Sequence, residues 1–300
     1  AMTMAYNQAK HIIKKHVNAN QDDVLINTGT GMTGAINKFQ RILGLKVPEN
    51  IKSFVNIAEE DRPVVFISHM EHHSNQTTWL ETIAIVEIIP QTECGLICLE
   101  GFKDLLEKYK GRAVKIASIT SCSNVTGIRS RYHTMAKMIH EYNGVCFVDF
   151  ACSAPYVSID MHPADEAESL DAVFFSPHKF LGGPGTSGVL IFNKKLYRNM
   201  VPDCPGGGTV SWTNPWGEHK YITNIEDRED GGTPGFLQVI KTALAIQLKE
   251  KMGVDNILKR EHELLEYLFA EFEDVENLHV LAKQHQDRLR VVSFYINKLH

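Results

Sequence analysis

Three stretches of this sequence carry residue types and spacings suited to chemistry on a bound small molecule. Lys179 stands in Ser176-Pro177-His178-Lys179-Phe180-Leu181-Gly182-Gly183-Pro184-Gly185. The small, turn-forming residues after it let a ligand come close to the backbone. A lysine at a strand end, desolvated by apolar neighbours, has a lowered pKa and can form a Schiff base with a carbonyl. Most lysines are simply solvated; Ser176 and His178, both able to donate to a phosphate, set this one apart. Asp149 follows the apolar run Val145-Cys146-Phe147-Val148. A carboxylate there can hold a heterocyclic nitrogen protonated, because each charge favours the other. An N-cap or turn aspartate is the plain alternative. Thr28-Gly29-Thr30-Gly31-Met32-Thr33-Gly34 reads as a tight turn opening a helix, whose free amides can bind phosphate. Its glycine spacing is not the dinucleotide fingerprint, and no Walker lysine follows.

Two further residues fit the same ligand. His72 follows the apolar run Val64-Val65-Phe66-Ile67-Ser68 and could lie flat on an aromatic ring, although a lone histidine is more often structural. Asn124, in Ser-Asn-Val-Thr-Gly, could donate to a phenolic oxygen, with a turn asparagine as the ordinary reading. A lysine for an imine, a carboxylate for a pyridine nitrogen, a phosphate cradle and a stacking ring are together what pyridoxal 5'-phosphate (PLP) requires of a protein. The sequence offers a candidate for each.

The elements that must position these residues read as strand, turn and helix in alternation. Asp23–Asn27, Val64–Ser68, Ile83–Ile89, Val114–Thr120, Val145–Val148, Ala172–Phe175 and Gly188–Phe192 are short apolar strands. Helical patterns follow the glycine turn, with Ile36, Phe39 and Leu43 on one face, and span Met4–Val17 and His133–Tyr142. Strands apolar throughout, alternating with helices, predict a mostly parallel sheet with helices on both faces. Ligands in such sheets sit beyond the carboxyl ends of the strands, and Thr30, His72, Asn124, Asp149 and Lys179 each lie just past one. Phe236–Phe272 reads as a long amphipathic helical region and Arg290–Ile296 as a strand. The expected organisation is an α/β large domain over 1–250 and the start of a smaller α/β domain over 251–300, with both ends cut.

Composition narrows the class. A net charge of -5 and a pI near 6.3 give no reason to expect nucleic acid as a partner. No apolar run is long enough to span a bilayer and no signal-peptide pattern opens the chain, so the cytoplasm is the expected compartment. The cysteines at 94, 98, 122, 146, 152 and 204 do not form a disulfide framework. Cys94 and Cys98 lack a second pair, and His69, His72 and His73 lack companions, so no metal is expected. Asn124-Val125-Thr126 fits the glycosylation sequon by chance.

Taken together, TGTGMTGAINK, MEHHSNQTTW, SCSNVTG, FVDFACSAPY, SPHKFLGGPG and EDGGTPG resemble segments of the class V aminotransferase-fold enzymes, in that family's order, over about residues 24 to 235. The family contains cysteine desulfurases, selenocysteine lyases and several transaminases. The resemblance implies a fold-type I PLP-dependent transferase large domain and a cytoplasmic enzyme acting on a small amino acid. Lys179, His72 and Asp149 would be catalytic: Lys179 bonds the cofactor and shuttles protons, Asp149 pairs with the pyridinium, and His72 stacks on the ring. Gly31, Met32 and Thr33, with Ser176 and His178, would hold the phosphate. Asn124 would sit near the ring oxygen. Thr233, in Gly-Gly-Thr-Pro, would reach the phosphate of a neighbouring subunit, which implies a homodimer.

One departure stands out: Cys152 occupies the position three residues after the aspartate where desulfurases usually carry glutamine. A thiol is a weak donor, so the contact to the ring oxygen is weakened or moved. The family's sulfur-accepting cysteine and carboxylate-binding arginine come from a C-terminal region that this sequence does not supply; Cys204 does not match that segment, and these residues by themselves are expected to be inactive. Desulfurase or selenocysteine-lyase chemistry is the first expectation. A class V aminotransferase or another PLP lyase or epimerase is the alternative within the family. A non-catalytic scaffold of the same fold and a nucleotide-binding α/β domain are the rivals outside it.

Overall fold

A computed structural model describes residues 1–285 and 287–297. In chain order its elements are α1 (Met2–His16), β1 (Asp23–Thr28), α2 (Met32–Ile42), β2 (Val64–Ser68), α3 (His73–Leu80), β3 (Ile85–Ile89), α4 (Leu99–Lys108), β4 (Lys115–Thr120), α5 (Tyr132–His140), β5 (Val145–Asp149), β6 (Ala172–Phe175), β7 (Gly188–Asn193), β8 (Val210–Thr213), β9 (His219–Tyr221), α6 (Ile225–Arg228), α7 (Phe236–Met252), α8 (Val254–Glu273), β10 (Leu278–Val280) and β11 (Phe294–Ile296).

Seven strands form one sheet in the order β1-β7-β6-β5-β4-β2-β3. Pairings among β3, β2, β4, β5 and β6 are parallel, while β7 runs antiparallel to both β6 and β1. The expected mostly parallel sheet is therefore present. Alternation along each strand divides its side chains between two cores. On one face Leu25, Phe66, Ala117 and Val148 pack with Ile13 of α1, Phe102 of α4, Met135 of α5 and Val239 of α7. On the other, Val24, Val65, Phe147 and Phe174 pack with Ile36 and Phe39 of α2 and Trp79 of α3. Helices on both faces leave the strands' carboxyl edge open, and this is where the candidate residues emerge.

The helical region from Phe236 is present as the two helices α7 and α8, with Gly253 at a left-handed φ of 80° between them; that conformation strains other residues and separates the two stretches. One expectation needs correction. Arg290–Ile296 is not one strand: only Phe294–Ile296 pairs, with Leu278–Val280, apart from the main sheet. The preceding backbone is engaged elsewhere, since Leu289 N donates to Gly127 O at 2.8 Å. Gly127 must be glycine for this approach, because a Cβ there would lie 2.3 Å from Leu289 O. The helices α3 and α4 and the β8–β9 hairpin have no counterpart in the sequence reading.

Candidate active site

The open edge holds a cleft of about 220 Å³ lined by the loop ends of β1, β2, β4, β5 and β6. Gly31, Met32, Thr33, His72, Asn124, Asp149, Cys152, Ser176, His178 and Lys179 all line it. Of the residues singled out from sequence, Thr233 alone stands elsewhere, exposed just before α7.

At one end the cleft is built for an anion. α2 starts at Met32, so its first amides have no helical acceptor. Met32 N donates to Ser176 Oγ at 2.8 Å, and His178 Nδ1 donates to Thr30 O at 2.6 Å. These two bonds clamp the turn after β1 onto the loop after β6. The clamp is tight: a Cβ on Gly31 would fall 2.6 Å from His178 Cε1, and one on Gly188, where β7 starts, 2.1 Å from Gly31 O. Thr33 Oγ1 lies 2.6 Å from Ser74 Oγ of α3, joining a third loop to the same end.

At the other end lies an acid without a protein cation bonded to it. Asp149 ends β5 and is 3% exposed. Its Oδ1 accepts from Ala151 N at 2.7 Å. Burial pushes its carboxyl up to about 6, against the smaller opposing pull of the Ala151 amide and the Lys179 charge. A buried carboxylate in that condition is completed by a cationic partner. Lys179 ends a single 3₁₀ turn after β6. Its side chain is exposed at the cleft, so the apolar desolvation expected of it is not supplied by this chain's own residues; the strand-to-turn exit lifts it clear of the core.

His72 caps α3, its Nδ1 accepting from Ser74 N at 3.1 Å. That bond leaves Nδ1 without a proton. Partial burial, with the charges of Lys179 and His73, moves its pKa down, which keeps the ring neutral. Asn124 is exposed at the rim.

Cys152 brings a feature the sequence reading missed. Its Sγ lies 3.9 Å from Ser123 O, and Cys122 Sγ lies 3.5 Å from that same oxygen. Each thiol also acts on the other's titration, which favours ionisation of Cys152 and disfavours that of buried Cys122. Cys122 stood in the quoted segment SCSNVTG, but residue type alone does not reveal that two loops converge. Thr30, placed at a strand end from the sequence, lines the cleft as well; Ser74, Thr120 and Ala151 also line it and were likewise missed as site residues.

A glycine-bound anion end, a buried acid and a lysine lining the same cleft form a donor set that fits PLP. Comparison with known proteins agrees. The sequence matches the aminotransferase class-V family across residues 1–300. The chain belongs to this class V family. Its members depend on PLP, so the chain is a PLP-dependent enzyme of class V with the fold-type I architecture. Among curated class V relatives, a probable cysteine desulfurase of Staphylococcus epidermidis is 30% identical over 302 residues, covering 99% of this chain and 68% of the relative. One from Staphylococcus aureus is 28% identical with the same coverage. Among solved structures, the apo cysteine desulfurase of Thermococcus onnurineus superposes with a TM-score of 0.78 at 21% identity, covering all of this chain and 70% of that one. A cysteine desulfurase of Escherichia coli gives 0.78 and 21%, with 69% of that chain covered. Within class V, the chain is cysteine desulfurase-like.

Proposed function

We propose that this chain removes sulfur from cysteine, or the corresponding atom from selenocysteine, as a cytoplasmic homodimeric enzyme. The observation that carries the reading is that Lys179 and Asp149 line one 220 Å³ cleft whose far end is the Met32–Ser176–His178 anion clamp. The desulfurase relatives, 30% identical in one case, support the choice of substrate.

Bound PLP supplies an electron sink for a bond broken next to the substrate's amino carbon. The chain's own residues do the rest. Met32 N, Ser176 Oγ and His178 hold the phosphate, with the helix N-terminus adding its partial positive charge. Asp149 keeps the ring nitrogen protonated, and the cation in turn lets the buried acid stay ionised. Neutral His72 covers one ring face. Lys179 Nζ would hold the cofactor and, when free, would carry protons at the substrate's α-carbon. Cys152, which lines the same cleft, would stand near the ring oxygen as a weaker donor than the glutamine usual in desulfurases. Thr233, exposed and outside its own chain's cleft, reaches the partner's phosphate. The free cysteines suit a reducing compartment.

The test is product analysis. Full-length protein loaded with PLP is incubated with cysteine, selenocysteine, alanine and kynurenine together with a thiol reductant, which supplies the two electrons that turn released sulfur or selenium into sulfide or selenide, and sulfide, selenide and keto acids are measured. Sulfide or selenide is the expected product. Keto acid from alanine, with no sulfide, would replace this reading with an aminotransferase.

A further inference from the structure

Glu71 stands one residue before His72 and has no part in the function proposed above. Its carboxylate is surrounded by donors from three elements. Oε1 accepts from Ser68 Oγ at 2.6 Å, from Ser68 N at 3.3 Å and from Thr120 N at 2.9 Å. Oε2 accepts from Asn75 Nδ2 at 2.6 Å. Asn75 is itself fully buried and fixed in orientation. Its Nδ2 also donates to Ser118 O at 3.1 Å, and its Oδ1 accepts from Trp79 Nε1 at 3.1 Å and Ser118 Oγ at 2.7 Å. No amide at position 71 could satisfy this set, since its NH₂ would meet the donor of Asn75.

The network binds the end of β2, the start of α3 and the end of β4. Two consequences follow for the cleft. His72 lies between Glu71 and the α3 residues that Glu71 holds, so its position depends on the network. Thr120, whose amide reaches Glu71, is also the register partner of Asp149 across β4 and β5. The two acids therefore flank one residue. We propose that Glu71 is a positioning residue for the cofactor: a second, half-buried acid, sharing the neighbour Thr120 with Asp149, that orients His72 and strengthens the negative field around the ring's cationic groups. This rests on the reading that Asp149 meets the ring nitrogen.

The titration behaviour of Glu71 agrees with that geometry. Burial pushes its carboxyl up to about 7, the donors oppose this, and the negative charge of Asp149 adds to the rise. A cation bound against Asp149 offsets that repulsion and favours ionised Glu71.

The test reads the pH midpoint at which the bound cofactor's visible absorbance changes, together with its visible circular dichroism. Melting curves check the fold. Glu71→Gln removes one negative charge near a cationic group, so the midpoint falls by roughly one unit at the separations and dielectric of a protein interior. The dichroism band changes as His72 shifts. Ser68→Ala, a milder change that keeps the charge but removes its shortest donor, moves the midpoint the same way by less. Asp149→Asn also lowers it. If Asp149→Asn moves the midpoint while Glu71→Gln and Ser68→Ala leave both readouts in place, the claim for Glu71 is overturned and the site reading stands. If no variant moves either, both are overturned.

Discussion

Buried acids occur in two regions of this molecule and are treated in opposite ways. Beside α2, Asp203 and Glu229 meet cations directly. Lys38 Nζ lies 2.8 Å from Glu229 Oε2 and 3.4 Å from Asp203 Oδ2, and Arg41 grips Asp203 through two bonds of 2.7 and 2.9 Å. Burial pushes the Asp203 carboxyl up, but Arg41 and Lys38 outweigh it and hold the group below its ordinary value. Asp149, which lines the cleft, and Glu71, bonded to Thr120 beside it, are hydrogen-bonded but touch no protein cation among the described residues, and both rise, to about 6 and about 7. The first region is a finished structural cluster. The second is an acid pair whose missing charge is to come from a ligand, a pattern that marks functional sites.

The largest expected effect tests the second region. Asp149→Ala removes the partner of the ring nitrogen, and turnover by the PLP-loaded enzyme falls by roughly 10²–10⁴-fold, the range of a positioned acid–base or electrostatic group. A loss below tenfold would put Asp149 outside the chemistry. In the first region, Lys38→Met strands Glu229, whose side chain is fully enclosed, and weakens Asp203's second contact. Denaturant unfolding should show a loss of about 3–5 kcal/mol, as for other broken buried pairs.

Asp149→Asn should do the reverse in cofactor-free protein, which sharpens the contrast. With a folded pKa of about 6 against an ordinary 3.8, the charged form is disfavoured in the fold. Wild-type stability therefore falls as pH rises from about 4 to about 6, and the asparagine variant lacks that fall. At pH 8 the variant is more stable by about 3 kcal/mol, a gain that vanishes below pH 4. Unfolding curves at the two pH values read it directly. The smallest effect belongs to the surface: Arg62→Ala, which breaks an exposed 3.3 Å pair with Glu59 and two carbonyl contacts, should change melting by an amount matching about 1 kcal/mol or less.

Much of the sheet was legible because each strand is an unbroken apolar run with one register choice, as in Val64–Ser68 and Ala172–Phe175. α3 was not legible: His73–Leu80 is mostly polar, and its helicity comes from the His72 cap and the packing of Trp79 rather than from periodicity. Arg290–Ile296 failed for the opposite reason, since a strand-like pattern gives way where a glycine turn claims its backbone. Residues one strand end apart, such as Asp149 and Lys179, meet in one cleft because the carboxyl edge gathers them, a placement the strand pattern predicts. Cys122 and Glu71 were missed as site residues because their importance lies in contacts between loops, which no spacing along the chain encodes.

The central claim is a covalent bond between Lys179 Nζ and the cofactor's aldehyde carbon. Protein incubated with PLP, reduced with borohydride and digested would be mapped by mass spectrometry, with Lys179→Ala treated in parallel. The account predicts a phosphopyridoxyl group on the peptide containing Lys179 and none in the variant. Labelling confined to another lysine, or labelling that survives Lys179→Ala unchanged, would contradict it.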